Sequence, residues 1–320
     1  AGLFEAHRAL GRIPMTEVIT PALELAKEGV VLDAFHHYIT RILRPILEDN
    51  PGSLALYRSP SDPDRLIMEG ERQRLPGLDD ALEALIHEGS DIFYRGDWAE
   101  ALVRDCADRG GLLSMEDLGS YRVEQREPAI FRYRGARCAI NPPPSPGGCL
   151  VALALSVMSG ESLQDMAWGS KPHMLQLLRG MRAANLARLE DSFEQDVQAE
   201  NLRAFLGEAN ADRWRKQLSM QNLFSRGTTH ISVADAEGNI ASLTTSNGEG
   251  CGYVLPGTGI MMNNMLGEED LNPGGFHRWE PGSRLVSMMS PALLETAEGE
   301  RIALGSGGSN RIRSAMTQVL

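Results

Sequence analysis

The chain has 320 residues, 42% of them apolar and 23% charged, with a formal net charge of −12. That length accommodates one large domain or two ordinary ones with a sizeable core, and the negative balance argues against nucleic acid or an anionic membrane as partners, since both call for clustered Lys and Arg. No apolar run approaches the ~20 residues that cross a bilayer, no signal-peptide pattern opens the chain, and Cys106, Cys138, Cys149 and Cys251 lack CxxC spacing, so they read as scattered small hydrophobes rather than a zinc site or a disulfide framework.

The first third reads as helical. AGLFEAHRALGRI carries a helical pattern from residue 1 with no lead-in. EVITPALELAKEG follows Thr16 with apolar positions at helical spacing and Gly29 as its stop. LPGLDDALEALIHEGSDIFYRGDWAEALVRDCADRGG predicts two amphipathic helices, joined at GSD and ended by Gly110-Gly111. In SMEDLGSY, Ser114 and Asp117 have the spacing of a capping box. RVEQREPAIFRYRGARCAINPPP predicts a strand pair turning near Gly135, PPPSPGGC a rigid turn followed by a flexible one, and residues 149–190 two further helices. Residues 191–225 are polar and weakly patterned, a connector with little packing surface.

From Thr228 the period changes to two. THISVAD, the turn AEGN and IASLTTS make a β-hairpin. LLETAEGERIALG makes a second, turning at Glu298-Gly299, and leads through GSGGSN into a final helix still in progress at Leu320. Both ends therefore read as cut. Helices first, then strands with Gly-rich loops, predict an α+β layered fold.

Gly227-Thr228-Thr229-His230 is the first group with chemical content. A small residue before a Thr at a strand edge, downstream of a loose connector, is what a self-cleaving peptide bond needs. The hydroxyl attacks the preceding carbonyl, the acyl group moves from N to O, and water releases a new N-terminus. The freed α-amine, with a reference pKa of about 7.7–8.0, takes the hydroxyl proton near neutral pH, so one residue supplies nucleophile and base. Thr-Thr alone is equally what a strand favours, because β-branched residues suit it. His230 shares a strand face with Thr228 and not with Thr229, a position for packing or hydrogen bonding rather than catalysis. GSGGS at 305–309 is by itself a strand-to-helix turn or a weak anion nest. No H-x-x-H, HExxH or clustered ligand set points to a metal.

Taken together, TTHISVADAEGNIASLTTSNGEGCG, PGTGIMMNNMLGEEDLNP, PGSRLVSMMSP and GSGGSNRI resemble, in order and spacing, the small subunit of the γ-glutamyltranspeptidases. The preceding part resembles the large subunit of that family, through PALELAKEG at 21–29, FYRG at 93–96, GGLLSMEDL at 110–118 and PPPSPGG at 142–148. The resemblance implies a four-layer αββα sandwich of the N-terminal-nucleophile hydrolase type. Residues 1–227 would be a large-subunit segment and 228–320 a small-subunit segment, one domain forming a heterodimer of its own two processed parts. It implies Thr228 as nucleophile and Ser246 where the family usually has a Thr bonded to that nucleophile. Gly307 and Gly308 match the pair whose N–H groups hold the oxyanion. Ser287 matches one of two serines on the substrate carboxylate, with Met288 in its neighbour's place. Glu268 stands close to an Asp that binds the substrate amine, and Asn247 matches a substrate-binding Asn.

Read without the family, Glu268, Glu269 and Asp270 are a solvated acidic loop. Met265 and Met288 predict a pocket less polar than usual, and the family's carboxylate-binding Arg would fall before residue 1. The implied activity is autoprocessing followed by hydrolysis of γ-glutamyl compounds such as glutathione, or transfer to an amino acceptor, with no cofactor and no metal. A related acylase with another amide substrate, or an inactive relative that only binds ligand, are the alternatives. Family members are often periplasmic or extracellular.

Overall fold

The computed structural model describes residues 1–159, 163–190, 199–216, 228–268, 271–272, 275–308 and 311–320. Arg226, Gly227, Glu269, Asp270 and residues 191–198 and 217–225 of the expected connector lie outside the described residues. In chain order the elements are α1 (Gly2–Leu10), α2 (Met15–Glu28), β1 (Val30–Val31), α3 (Ala34–Ile42), α4 (Arg44–Asp49), α5 (Pro51–Tyr57) and β2 (Arg72–Gln73). Next come α6 (Leu78–Glu88), α7 (Asp91–Tyr94), α8 (Asp97–Asp108), α9 (Met115–Ser120), β3 (Ala129–Tyr133), β4 (Ala136–Ile140), α10 (Gly147–Met158) and α11 (Lys171–Glu190). The chain continues with α12 (Ala199–Phe205), α13 (Glu208–Lys216), β5 (Thr229–Ala234), β6 (Ile240–Thr245), β7 (Val254–Leu255), β8 (Ile260–Met261), β9 (Ala292–Glu295), β10 (Arg301–Leu304) and α14 (Arg311–Val319). The content is α+β, as the sequence predicts. Contacts divide the chain into two compact units, Ala1–Gln125 with Glu249–Asn263, and Arg126–Gly248 with Asn264–Leu320.

The first unit is mostly helical. Its small core gathers Ala99 and Leu102 of α8, Leu118 of α9 and Leu255 of β7. Tyr253 donates its hydroxyl to Asp105 Oδ2 at 2.8 Å, and burial, with that bond, pushes the phenol up to about 12. The capping box at α9 forms as expected, with Asp117 N donating to Ser114 Oγ at 3.2 Å and Ser114 N to Asp117 Oδ2 at 2.8 Å. One expectation changes: residues 78–108 make three helices, not two. The backbone leaves helical values at Arg95 (φ −142°) and Gly96 (ψ −162°), which separates α7 from α8.

The second unit is built around α10. Its sequence GGCLVALALSVM has no polar face, so a helix made from it must be covered all round. One side, with Cys149, Val151, Ala152 and Leu155, packs on Phe131, Cys138, Ile140 and Ala292 of an antiparallel sheet ordered β10-β9-β4-β3. The other side, with Leu150, Leu153, Ala154 and Val157, packs on α11 and α13. α11 offers Ala183, Ala184 and Ala187 there, and at Gly180 a Cβ would come 2.8 Å from Met158 Cγ and 2.9 Å from Ala154 O, so the two helices meet backbone to backbone. Arg215 of α13 donates from Nε to Val157 O at 3.1 Å, satisfying a carbonyl at the end of α10.

The expected lack of packing surface in the connector is overturned at α13. Ala211 and Trp214 are both fully buried against α10 and α11. The segment is polar on average because one apolar indole does the packing for two turns of helix.

On the other face of the sheet lies the β5–β6 hairpin, paired from Thr229↔Thr245 to Ala234↔Ile240. Ser232 Oγ donates to Ala303 O at 3.1 Å and Ser242 Oγ to Leu304 O at 2.9 Å, tying the hairpin to β10, the edge strand. The layers therefore run helix, sheet, sheet. The outer face of the hairpin, with Ile231, Val233 and Leu243, stays about half exposed.

The burial of Trp214 makes a direct expectation. Trp214→Ala should lower stability by about 3–5 kcal/mol, read from the urea midpoint. Trp168→Ala, at a site 89% exposed, should change it by no more than about 0.5 kcal/mol.

Candidate active site

Hairpin register decides what faces Thr228. Because Thr229 pairs with Thr245, Thr228 lies across from Ser246. Thr228 Oγ1 donates to Ser246 Oγ at 3.5 Å, a long contact, and Ser246 Oγ also accepts from Gly248 N at 3.1 Å. Both residues are half-buried. Thr229, one residue on, turns outward and is exposed.

The loop after β10 closes the opposite side. Gly307 lies flat against the backbone of Thr228, so closely that a Cβ at 307 would overlap the Thr228 carbonyl oxygen. Gly308 follows with φ +113°, and Arg311 N donates to Gly308 O at 2.9 Å as α14 begins. The structure thus brings together Thr228, Ser246 and Gly307, with Gly308 beside them at a helix N-terminus, where the helix dipole favours negative charge.

Beyond Ser246 the chain turns through Asn247 and Gly248. A Cβ on Gly248 (φ +61°) would overlap Asn264 Oδ1 and come 2.8 Å from Glu268 Oε1. Glu268 therefore presses its carboxylate against the 246–248 loop. It is 7% exposed, and its carbonyl accepts from Asn272 Nδ2 at 2.7 Å. The solvated-loop reading fails for this residue, because a carboxylate withdrawn from water needs partners to stay charged. Asn247 is exposed, and its carbonyl accepts from Asn264 N at 3.4 Å.

Ser287 sits in a different local frame. Its N–H donates to Pro144 O at 3.1 Å and its Oγ accepts from Met289 N at 3.1 Å. The SMMSP segment rests on the PPPSPGG turn, since a Cβ at Gly147 would overlap Met288 O and Ser290 Oγ. Met288 is a correction: its side chain is buried with Leu150 and Leu153 in the helical core and lends nothing to a pocket wall.

His230 bonds through both ring nitrogens, to Thr244 Oγ1 and Ser232 Oγ, each at 2.8 Å. Partial burial holds its pKa below the usual histidine value, favouring the neutral ring. The cysteines offer no competing nucleophile in this unit: burial pushes Cys138 up to about 11 and Cys149 to about 12. Among the described residues no three or more His, Cys, Asp or Glu gather in a way that could hold a metal, and no helix is long and apolar enough to cross a membrane. Gly248 and Asn264 are neighbours of the site that pattern reading passed over. The turn dipeptide Asn247-Gly248 was the available signal.

A sequence model described as gamma-glutamyltranspeptidase matches residues 1–320. The chain is 32% identical over 345 residues to the "Acylase ACY 1 proenzyme" of Pseudomonas sp. strain SE83, and 26% identical over 347 residues to the "Glutathione hydrolase proenzyme" of Escherichia coli strain K12. Each alignment covers all of this chain and 59% of the relative. Among solved structures, cephalosporin acylase from Bacillus halodurans superposes with a TM-score of 0.79 at 22% identity, over 98% of this chain and 60% of that one, which shows a shared fold.

Gly248 and Gly238 separate close approach from backbone strain. Both have positive φ, but a Cβ at Gly238 meets open space. Gly238→Ala should cost about 1–2 kcal/mol through the left-handed backbone alone. Gly248→Ala should cost at least about 1 kcal/mol more, because it must also displace Asn264. The two denaturation midpoints test the difference.

Proposed function

The chain belongs to the γ-glutamyltranspeptidase family, and from that premise we propose that it is an autoprocessing amidase that uses Thr228 on γ-glutamyl amide bonds. The observation that carries the reading is the convergence on Thr228: the Ser246 hydroxyl on one side and the Gly307 backbone against its carbonyl on the other.

In processing, Thr228 Oγ attacks the carbonyl of residue 227. The C–N bond breaks, nitrogen keeps a proton as an amine, and the resulting ester is hydrolysed by water. The free α-amine then takes the Thr228 hydroxyl proton as Oγ attacks a substrate amide. Gly307 and Gly308 N–H groups receive the oxyanion, as preorganised donors do in acyl transfer. The leaving amine takes the proton from the α-ammonium, leaving an ester on Thr228. Water or an amino acceptor, deprotonated by the same α-amine, releases the acid or a new amide. Ser246 orients the nucleophile. Glu268 supplies a negative charge for the substrate's α-ammonium, and Ser287 and Asn247 are assigned to the rest of the glutamyl head. Processing divides the chain between residues 227 and 228 into two parts that remain associated.

A second reading is favoured by the 32% identity to an acylase: a related amidase whose acyl group lacks the α-amine. Glu268 distinguishes the two. A glutaryl anilide differs from a γ-glutamyl anilide by the amino group alone, so Glu268→Gln should raise KM for the γ-glutamyl anilide by about tenfold or more and leave the glutaryl anilide unchanged. A wild type that prefers the glutaryl substrate supports the acylase, and one that splits neither anilide supports a ligand-binding relative.

Thr228→Ala should stay one chain on a denaturing gel and lose at least ~10³-fold in kcat. Thr228→Ser should keep both processing and turnover. Thr229→Ala, on the outward face, should still divide into two chains. A Thr228→Ala protein that still divides, or a Thr229→Ala protein that alone fails to, would assign the nucleophile wrongly.

A further inference from the structure

His230 lies on the face of β5 turned toward β10, two residues from Thr228. The Ser232 hydroxyl donates its single proton to Ala303 O, so toward His230 it can only accept. Nε2 therefore carries the ring proton and donates to Ser232, and the neutral ring's Nδ1 accepts from the Thr244 hydroxyl. Each bond fixes one edge of the ring, and the ring plane cannot swing.

That plane rests on Gly305. A Cβ at 305 would overlap Nδ1 and Cε1 of His230 and lie 2.7 Å from its Cγ. Gly305 is two residues before Gly307, whose backbone abuts the Thr228 carbonyl. Strand and loop thus touch twice, at 230 with 305 and at 228 with 307. The first contact is a side chain of fixed orientation against a backbone with no side chain to give way. Any shift of the ring moves the loop end that bears Gly307 and Gly308.

We propose that His230 is a positioning residue, a rigid spacer matched to the missing Cβ of Gly305, which sets the distance between Thr228 and the Gly307-Gly308 amides. This rests on the reading of Thr228 as nucleophile and of those amides as oxyanion donors. The ring does not touch substrate; its effect is on kcat through geometry, where about 1 Å of misplacement is worth on the order of 100-fold.

The full-length protein tests it with a γ-glutamyl anilide, using Thr228→Ala, which stays uncut, and His230→Ala, Gly305→Ala and the His230→Ala/Gly305→Ala double variant, with kcat of these three taken per processed molecule. Gly305→Ala should lower kcat about 100-fold with KM within about threefold, and His230→Ala about 10- to 100-fold. The double variant should exceed Gly305→Ala by at least about tenfold, because removing the ring gives the new methyl its room. Losses that multiply would overturn the spacer, as would a loss confined to KM. Should Gly305→Ala not fold, His230→Gln decides: its amide can still donate to Ser232, so kcat within about fivefold of wild type supports the spacer, and a loss equal to that of His230→Ala overturns it. Turnover that survives Thr228→Ala removes the nucleophile assignment and this inference with it. Turnover lost there, with multiplicative losses in the pair, removes the spacer alone.

Discussion

A helix with no polar face has to be enclosed, and in the second unit the sheet, α11 and α13 are arranged to enclose α10. The sheet takes one side through Phe131, Cys138, Ile140 and Ala292. The small residues of α11 take the other, with Trp214 filling the space that small residues leave. Because α10 is fixed on both sides, the sheet beneath it is fixed too. The first turn of α10 holds the 287–290 segment through Gly147. β9 and β10 belong to that sheet, so the loop that follows β10 leaves from a rigid edge. The geometry at Thr228 inherits its precision from a core some distance in sequence from it.

The meeting of sheet and hairpin is of another kind. Residues of the hairpin that turn toward β10 are His230, Ser232 and Ser242, and those that turn away include Ile231, Val233 and Leu243, 48%, 56% and 43% exposed. This inverts the usual rule for a half-buried strand. β10 is an edge strand, and the Ser232 and Ser242 hydroxyls are small enough to reach its backbone carbonyls. Joining through directed bonds rather than apolar contact also fixes the register of the hairpin against β10. Apolar contact would tolerate sliding; a serine bonded to a given carbonyl does not.

Much of this could be read from the sequence. Alternation of period two gave both hairpins, because each strand is short and flanked by Gly-containing turns at Glu237-Gly238 and Glu298-Gly299. The motif order placed Thr228, Ser246, Gly307 and Gly308 in one cluster, and the geometry brings them together. Other features escaped. The helices α3 to α5 escaped because Pro45 and Pro51 break the pattern into pieces of 6 to 9 residues, too short to show periodicity. Trp214 escaped because one large side chain can bury a helix whose average is polar. Met288 was given to a pocket because its neighbour Ser287 was, yet adjacent residues in an extended segment point opposite ways, and Met288 points into the core. Alternation likewise says that two faces differ, and leaves open which of them is covered.

The hydrogen bonds around His230 run one way. Thr244 gives a proton to the ring, the ring gives one to Ser232, and Ser232 gives one to the Ala303 carbonyl. A carbonyl has no proton to hand on, so the line ends there. The only basic lone pair on the imidazole, at Nδ1, is already filled by Thr244. A histidine two residues from a threonine proposed as nucleophile would ordinarily be suspected of serving it as a proton relay; the direction of the line argues against that. Under the proposed mechanism the base at Thr228 is then its own nitrogen, which as an amide in the uncut chain has no such capacity. On the proposed reading the uncut chain is latent, and the cut that would give Thr228 a free amine is also what would switch it on.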